Sequence, residues 1–300
     1  MLQTKTKVLT LQNLLHYNLV LLSDFYTFIN LQPGLNPVLR INLNQNQIKK
    51  PNEEFEISLM DCIRLCPNKT IAQLITKFLH NQKNILGGQG LVANTANLMT
   101  ISYSAALALS LLQVKQQKLE IAKFSLKGLS WLDLGCGFTT SNFSDLSVQG
   151  QISIPTAAEF WQYLGAQVTG VDLRNNLAST RIKYTHKAAD LSQEWSKDFL
   201  KKPRDMISAF RLFNNPAFLF NMQEQFSFQR ESQSDLSTFI YQSILRKVSR
   251  ILKFGGYFVF AGGNFYNSIQ VGVLVHEYGL KMSFAGNSNL GLFVVEKIKN

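Results

Sequence analysis

The apolar positions of this chain change period near residue 120. Before it they recur mainly at helical spacing. Leu9 to Ile29 is leucine-rich and is broken by Leu31-Gln32-Pro33-Gly34. Asn36 to Glu54 is rich in Asn and Gln, carries Pro37 and Pro51, and reads as loop with one short strand at Val38 to Leu43. Helices are predicted over Ile57 to Leu65 and Thr70 to His80, with Pro67-Asn68 between them. Gly87-Gly88-Gln89-Gly90 is a break, and a long helix is predicted from Ala93 to Gln117.

After residue 120, short apolar runs alternate with amphipathic segments, the signature of a parallel sheet with crossover helices. Strands are predicted at Ser130 to Gly135, Gln167 to Leu173, Tyr184 to Ala189, Asp205 to Phe210 and Tyr257 to Ala261. A helix from Ser237 to Leu252 is closed by Phe254-Gly255-Gly256, and another runs from Ser268 to Tyr278. Lys281 to Ala285 and Leu292 to Ile298 flank the turn-rich Gly286-Asn287-Ser288-Asn289, and so short a connection makes them antiparallel. The expected fold is therefore α/β: a Rossmann-like, mostly parallel seven-stranded sheet with flanking helices over residues 121–300. Residues 1–120 form a mainly helical N-terminal extension. No internal repeat is present.

Two strand ends carry the candidate chemistry. Trp131-Leu132-Asp133-Leu134-Gly135-Cys136-Gly137 ends in glycines, and Val168-Thr169-Gly170-Val171-Asp172-Leu173 ends in an acid. Glycines let the backbone turn sharply and approach a ligand, and an acid on the neighbouring strand tip can accept from two ribose hydroxyls. A nucleotide-like ligand is implied, outside the carboxyl ends of the strands.

Composition narrows the setting. A chain of 300 residues with 46% hydrophobic and 16% charged residues can bury a sizeable core. Three cysteines are too few for a disulfide framework, and Cys62 and Cys66 lack the second pair a zinc ribbon needs, so no metal site is expected. The net charge of +11 raises a nucleic-acid partner as a possibility. Its densest groups, Lys197 to Arg204 and Arg246 to Lys253, read more simply as solvated surface: Arg246, Arg250 and Lys253 lie opposite Leu245, Val248 and Leu252 on one helix. Neither a secretory signal nor a membrane span is evident, and the expected location is cytoplasmic.

These segments together resemble the class I S-adenosylmethionine-dependent methyltransferases. The resemblance rests on Leu132-Asp133-Leu134-Gly135-Cys136-Gly137, on Gly165 to Asp172, and on Arg250-Ile251-Leu252-Lys253-Phe254-Gly255-Gly256, similar to the family's R-x-L-K-P-G-G with Phe254 in place of proline. It covers residues 125–300. It implies that Gly135 and Gly137 pass under the methionine part of S-adenosylmethionine, with Asp133 organising the loop and Cys136 a small filler. Asp172 would take the ribose hydroxyls, Leu173 the adenine face, Asp190 and Leu191 the adenine edge, and Phe210 the neighbourhood of the methyl group. For Asp190 the alternative is a helix N-cap with Leu191 in the core.

The chain departs from that pattern in two places. Phe138-Thr139-Thr140 follows the glycines where a small residue is usual, and Ser141 to Ser153 lengthens the path to the next helix, which the capping-box pattern Thr156-Ala157-Ala158-Glu159 starts at Thr156. The displaced helix start weighs against a dinucleotide, whose pyrophosphate needs it beside the glycines. No general base is assigned among His16, His80, His186 and His276, because methyl transfer needs one only for protonated acceptors. Asn215-Pro216-Ala217-Phe218 superficially matches the N-P-P-Y of amino-methyltransferases, inside a run of phenylalanines from Phe210 to Phe228 that reads as core against the N-terminal helices or as a lid. The leading reading is methyl transfer to a small-molecule acceptor. A nucleic-acid or protein methyltransferase and a non-catalytic binding protein follow, a dehydrogenase comes last, and the oligomeric state is open.

Overall fold

A computed structural model describes residues 38–42, 47–49, 57–58, 91–94, 125–137, 156–173, 184–210, 212–228, 236–261, 268–285 and 292–299, with a few helical residues between 69 and 110. The Ser141 to Ser153 stretch, Cys62, Cys66, His16 and His80 lie outside the described residues.

The first four strands, β1 (Val38–Asn42), β2 (Gln47–Lys49), β3 (Ile57–Ser58) and β4 (Leu91–Asn94), form an antiparallel sheet in the order β3-β2-β1-β4. β1 lies where the sequence predicts a strand. β3 replaces the start of a predicted helix, and Phe55, Ile57 and Leu59 alternate with polar residues there, a period-2 signal that pairing with β2 can use. The described helical residues at 69–78 fall in the predicted Thr70 to His80 helix.

The larger sheet contains β5 (Ser130–Leu134), β6 (Gln167–Asp172), β7 (Thr185–Ala188), β8 (Arg204–Ala209), β9 (Leu252–Ala261), β10 (Leu280–Ala285) and β11 (Leu292–Lys297). Its order is β10-β11-β9-β8-β5-β6-β7. The pairs from β9 to β7 are parallel, and β11 runs antiparallel to both its neighbours, so the sheet is mixed and mostly parallel. Strand order reverses between β5 and β8, the switch point of an open α/β sheet, outside whose carboxyl ends ligands of this fold class sit. The helices are α1 (Thr156–Tyr163), α2 (Lys197–Leu200), α3 (Pro216–Phe228), α4 (Leu236–Ile251) and α5 (Ser268–Glu277).

Period-2 alternation divides the core. Leu132 and Leu134 of β5 join Ile207, Phe258, Phe260 and the buried face of α4 in one cluster. Trp131 points to the other face and stacks on Trp161 of α1 at 3.8 Å. The extension reaches that face too: Phe78 is buried and meets Phe160 of α1 edge-on at 5.2 Å. At the amino ends of the strands, Asp205 accepts from the Ser130 N–H at 2.8 Å and hydroxyl at 2.7 Å, and from Lys253 Nζ at 2.9 Å. Burial raises the pKa of the Asp205 carboxyl, but the bonds from Lys253 and Ser130 outweigh it and hold the group below its ordinary value.

Phe254-Gly255-Gly256 does not close the helix. α4 ends at Ile251 and β9 starts immediately, with a register shift: Arg204 pairs with Leu252, and Met206 with Tyr257. Gly255 takes φ 71°, which strains any residue with a Cβ. A Cβ on Gly256 would sit 2.9 Å from the carbonyl oxygens of Asp205 and Lys253. The glycines thus form an irregularity inside the strand.

Gly256→Ala should therefore lower stability by about 1–3 kcal/mol, because the clash is with backbone. Gly272→Ala, within α5, meets no described atom within 4 Å and should raise stability by about 0.5–1 kcal/mol through helix propensity. Denaturation midpoints of the two variants should shift in opposite directions.

Candidate cofactor site

β5 ends by leaving the sheet within three residues. Gly135 and Gly137 take φ 67° and 85°, which glycine adopts without steric cost. The Gly135 and Cys136 N–H groups donate to the Val171 carbonyl at 2.8 and 3.0 Å, and the Gly137 N–H donates to Asp172 Oδ2 at 2.9 Å. The glycine loop and the acid are thus one hydrogen-bonded unit. Leu173, next along the chain, is 52% exposed, an apolar surface beside an acid at a strand tip.

Asp133 is buried. It sits in register with Ser208 on β8, whose hydroxyl donates to Asp133 Oδ1 at 2.7 Å and accepts from Trp131 Nε1 at 3.1 Å. Cys136 is buried with Sγ 3.8 Å from His186 Nδ1, and the Tyr184 hydroxyl lies 3.2 Å from the same nitrogen. Burial, then the charges of Asp133 and Asp172, push the Cys136 thiol well above its ordinary value, so it stays protonated.

Asp190 begins a tight turn after β7. Its Oδ1 accepts from the Ser192 N–H and hydroxyl at 2.9 and 2.6 Å, and its Oδ2 from Asn221 Nδ2 of α3 at 3.1 Å. Leu191 belongs to the core cluster. Phe210, at the end of β8, is buried 6.0 Å from the Trp161 ring. Gly135, Cys136, Gly137, Asp172, Leu173 and Asp190 therefore share the carboxyl rim, with Asp133 beneath it. Leu191 and Phe210 are packed into protein.

The phenylalanine run divides: Phe210, Phe213 and Phe218 are buried, Phe220 is exposed, and α4 supplies the partners of Phe213 and Phe226. Phe213 stacks on Tyr241 at 4.6 Å, and Phe226 packs on Phe239. Asn215 caps α3: its Oδ1 accepts from the Ala217 and Phe218 N–H groups at 2.9 and 3.2 Å. Pro216 takes the first helical position, where no N–H is needed.

Sequence reasoning missed Ser208, Asn221 and Gly170. Gly170 carried a readable signal, since glycine inside an apolar strand marks a close approach. A Cβ there would lie 2.6 Å from the Tyr184 ring and 2.8 Å from Cys136 Sγ.

The strand order with β11 reversed, the glycine turn after β5 and the acid ending β6 are those expected from the resemblance to class I S-adenosylmethionine-dependent methyltransferases. No family model matches the chain, and no curated protein matches it. Solved structures do. A TehB-like SAM-dependent methyltransferase from Corynebacterium glutamicum is 16% identical over 66% of this chain and 99% of its own, with TM-score 0.37. A 1,6-didemethyltoxoflavin-N1-methyltransferase from Burkholderia thailandensis, solved with S-adenosylhomocysteine, is 10% identical over 84% and 95%, with TM-score 0.38. A 16S rRNA N2 G1207 methyltransferase from T. thermophilus is 16% identical over 68% of this chain and 43% of its own, so this chain spans less than half of it, with TM-score 0.36.

Gly170→Ala should displace Cys136 and lower stability by about 1–3 kcal/mol. Adding Cys136→Ala should recover part of that loss, with a coupling of about 0.5 kcal/mol or more in a double-mutant cycle. Strict additivity would remove the proposed close packing.

Proposed function

We propose that the chain is an S-adenosylmethionine-dependent methyltransferase, with residues 121–300 holding the cofactor and residues 1–120 covering the acceptor side. The observation that carries this reading is the bond from Gly137 N–H to Asp172 beside an exposed Leu173. It offers what the adenosine half of such a cofactor requires: a carboxylate for the ribose hydroxyls, an apolar face for the adenine and a side-chain-free backbone beneath the chain that follows. Asp190 stands at the rim for the adenine edge, and Asp133 braces the glycine turn from below through Ser208.

When bound, S-adenosylmethionine supplies an electrophilic methyl group and its own leaving group. The chain's task is then to align the acceptor in line with the methyl and exclude water. Asp172 and the glycine loop fix one end of that line. His186 Nδ1 is engaged by Tyr184 and Cys136, so its role is structural on this reading. No His/Cys/Asp/Glu cluster suited to a metal occurs among the described residues, and no described helix is long and apolar enough to cross a membrane.

A small-molecule acceptor is preferred to a nucleic acid because the densest basic groups are partly spent inside the fold. Arg204 is buried, Arg246 pairs with Glu194 at 2.9 Å, and Lys253 pairs with Asp205. The nucleic-acid reading rests on the remaining charge, and RNA or DNA affinity falling steeply with added salt would favour it.

Calorimetric titration with S-adenosylmethionine and S-adenosylhomocysteine should show micromolar binding. Asp172→Ala should weaken it about tenfold or more, since a charge-assisted hydrogen bond contributes about 1.5–3 kcal/mol. Absence of binding in a folded wild-type sample would discard the reading, and unchanged affinity in the variant would discard the ribose role of Asp172.

A further inference from the structure

α4 buries a lysine. Its inward face is Ile240, Tyr241, Ile244, Leu245, Lys247, Val248 and Ile251, so Lys247 occupies a position that helical spacing assigns to an apolar side chain. A buried ammonium is costly unless its donors are satisfied. Those of Lys247 are. Nζ donates to the Gln193 carbonyl at 2.8 Å and to the Leu191 and Ser192 carbonyls at 3.4 Å each. It also lies 5.7 Å from the centre of the Trp195 ring.

The three carbonyls belong to consecutive residues, all immediately after Asp190. The same turn is held from α3, where Asn221 donates to Asp190 and Gln225 Nε2 donates to Ser192 Oγ at 3.4 Å. Three neighbouring carbonyls facing one point repel one another, and only a cation with several donors makes that arrangement favourable. A cavity of about 460 Å³ between the turn, α3 and α4 borders Lys247 and Gln225, so the polar side of the turn opens on space that packing does not fill. Lys247 bridges that gap.

We propose that Lys247 is a positioning residue of the cofactor site: its ammonium gathers the carbonyls of residues 191–193 and thereby fixes the turn that presents Asp190 at the rim. This rests on the cofactor reading above.

The clamp is sensitive to pH. The Lys247 pKa is lowered from 10.5 to about 8, chiefly by burial; Glu194 and Asp190 oppose the shift and Arg246 adds to it. Tyr278 borders the same cavity, and its hydroxyl is pushed up by burial and by Glu277, so it stays neutral in this range. The sign follows from the depressed value. Between about pH 8 and 10.5 the unfolded chain binds more protons than the folded one, so this group's contribution to global stability rises with pH. The clamp itself weakens over the same window, because the neutral amine has fewer N–H donors for three carbonyls and no charge. Cofactor affinity and the Lys247 contribution to global stability should therefore move in opposite directions.

The test is calorimetry with S-adenosylhomocysteine at pH 7 and pH 9.5 on the wild type and on Lys247→Arg, whose charge does not titrate in this range. Wild-type affinity should fall about tenfold, the equivalent of one charge-assisted hydrogen bond, while K247R changes less than about twofold. Equal pH profiles in the two proteins would overturn the inference while leaving the cofactor reading intact. Lys247→Met at pH 7 should also bind about tenfold more weakly and lose amide-exchange protection confined to residues 190–196. Wild-type affinity in a folded K247M would overturn the inference on its own. If K247M does not fold, the two pH profiles still decide. A wild type that fails to bind at pH 7 overturns the cofactor reading and this inference with it.

Discussion

Three backbone N–H groups leave the tip of β5, and β6 satisfies all three: two at the Val171 carbonyl and one at the Asp172 carboxylate. Buried N–H groups must be paired, and here the pairing dictates the path of the chain. To turn back towards β6 the backbone adopts positive φ at Gly135 and Gly137. To let the turn settle, β6 gives up a side chain at Gly170, where Cys136 and the Tyr184 ring pack. Among the described residues, the anchor of the glycine loop is therefore the neighbouring strand. Bonds of that kind are compatible with the long Gly137 to Gly165 spacing, since they do not depend on a helix starting beside the glycines, and α1 begins at Thr156.

Two charged groups, Asp133 and Lys247, are buried on opposite faces of the same sheet. Each is placed by a regular element and each serves an irregular one. Asp133 sits on a strand and is met in register by Ser208, so the end of β5 is tied laterally to β8 as well as to β6. Lys247 sits on a helix and holds a turn that has no ladder of its own. Both arrangements carry a desolvation cost that an apolar pair would avoid, and both are directional where an apolar pair is not.

The large sheet was legible because its inner strands are mainly apolar runs, as strands covered on both faces must be, while the edge strand β7 is short, polar and exposed. Ser130–Leu134, Gln167–Asp172, Thr185–Ala188 and Arg204–Ala209 differ from expectation by one residue at most at either end. The misreadings have local causes. Gly255-Gly256 reads as a helix stop because double glycine usually is one, and only the facing Asp205 backbone shows why the strand needs it. Ile57 follows a helical spacing and an alternating one at once, and pairing with β2 selects the latter. Lys247 looks like one more solvated base because its neighbours Arg246 and Arg250 are; that it alone shares the face of Ile244, Val248 and Ile251 is visible by counting.

The charge distribution bears on the proposed chemistry more than the total does. A chain of net +11 should repel a cofactor whose sulfonium and ammonium outnumber its one carboxylate. At physiological ionic strength, however, exposed charges are screened beyond about 8 Å, so the rim is governed by its own groups. Among the described residues its acids are Asp133, Asp172 and Asp190, on β5, on β6 and just after β7. Of the bases nearest the Asp190 turn, Arg246 is paired with Glu194, and Lys247 is surrounded by carbonyl oxygens. Among the described residues the rim therefore carries three carboxylates, in a molecule of net positive charge. On the proposed reading, these carboxylates would favour the charged sulfonium form of the cofactor over the neutral thioether that remains after transfer.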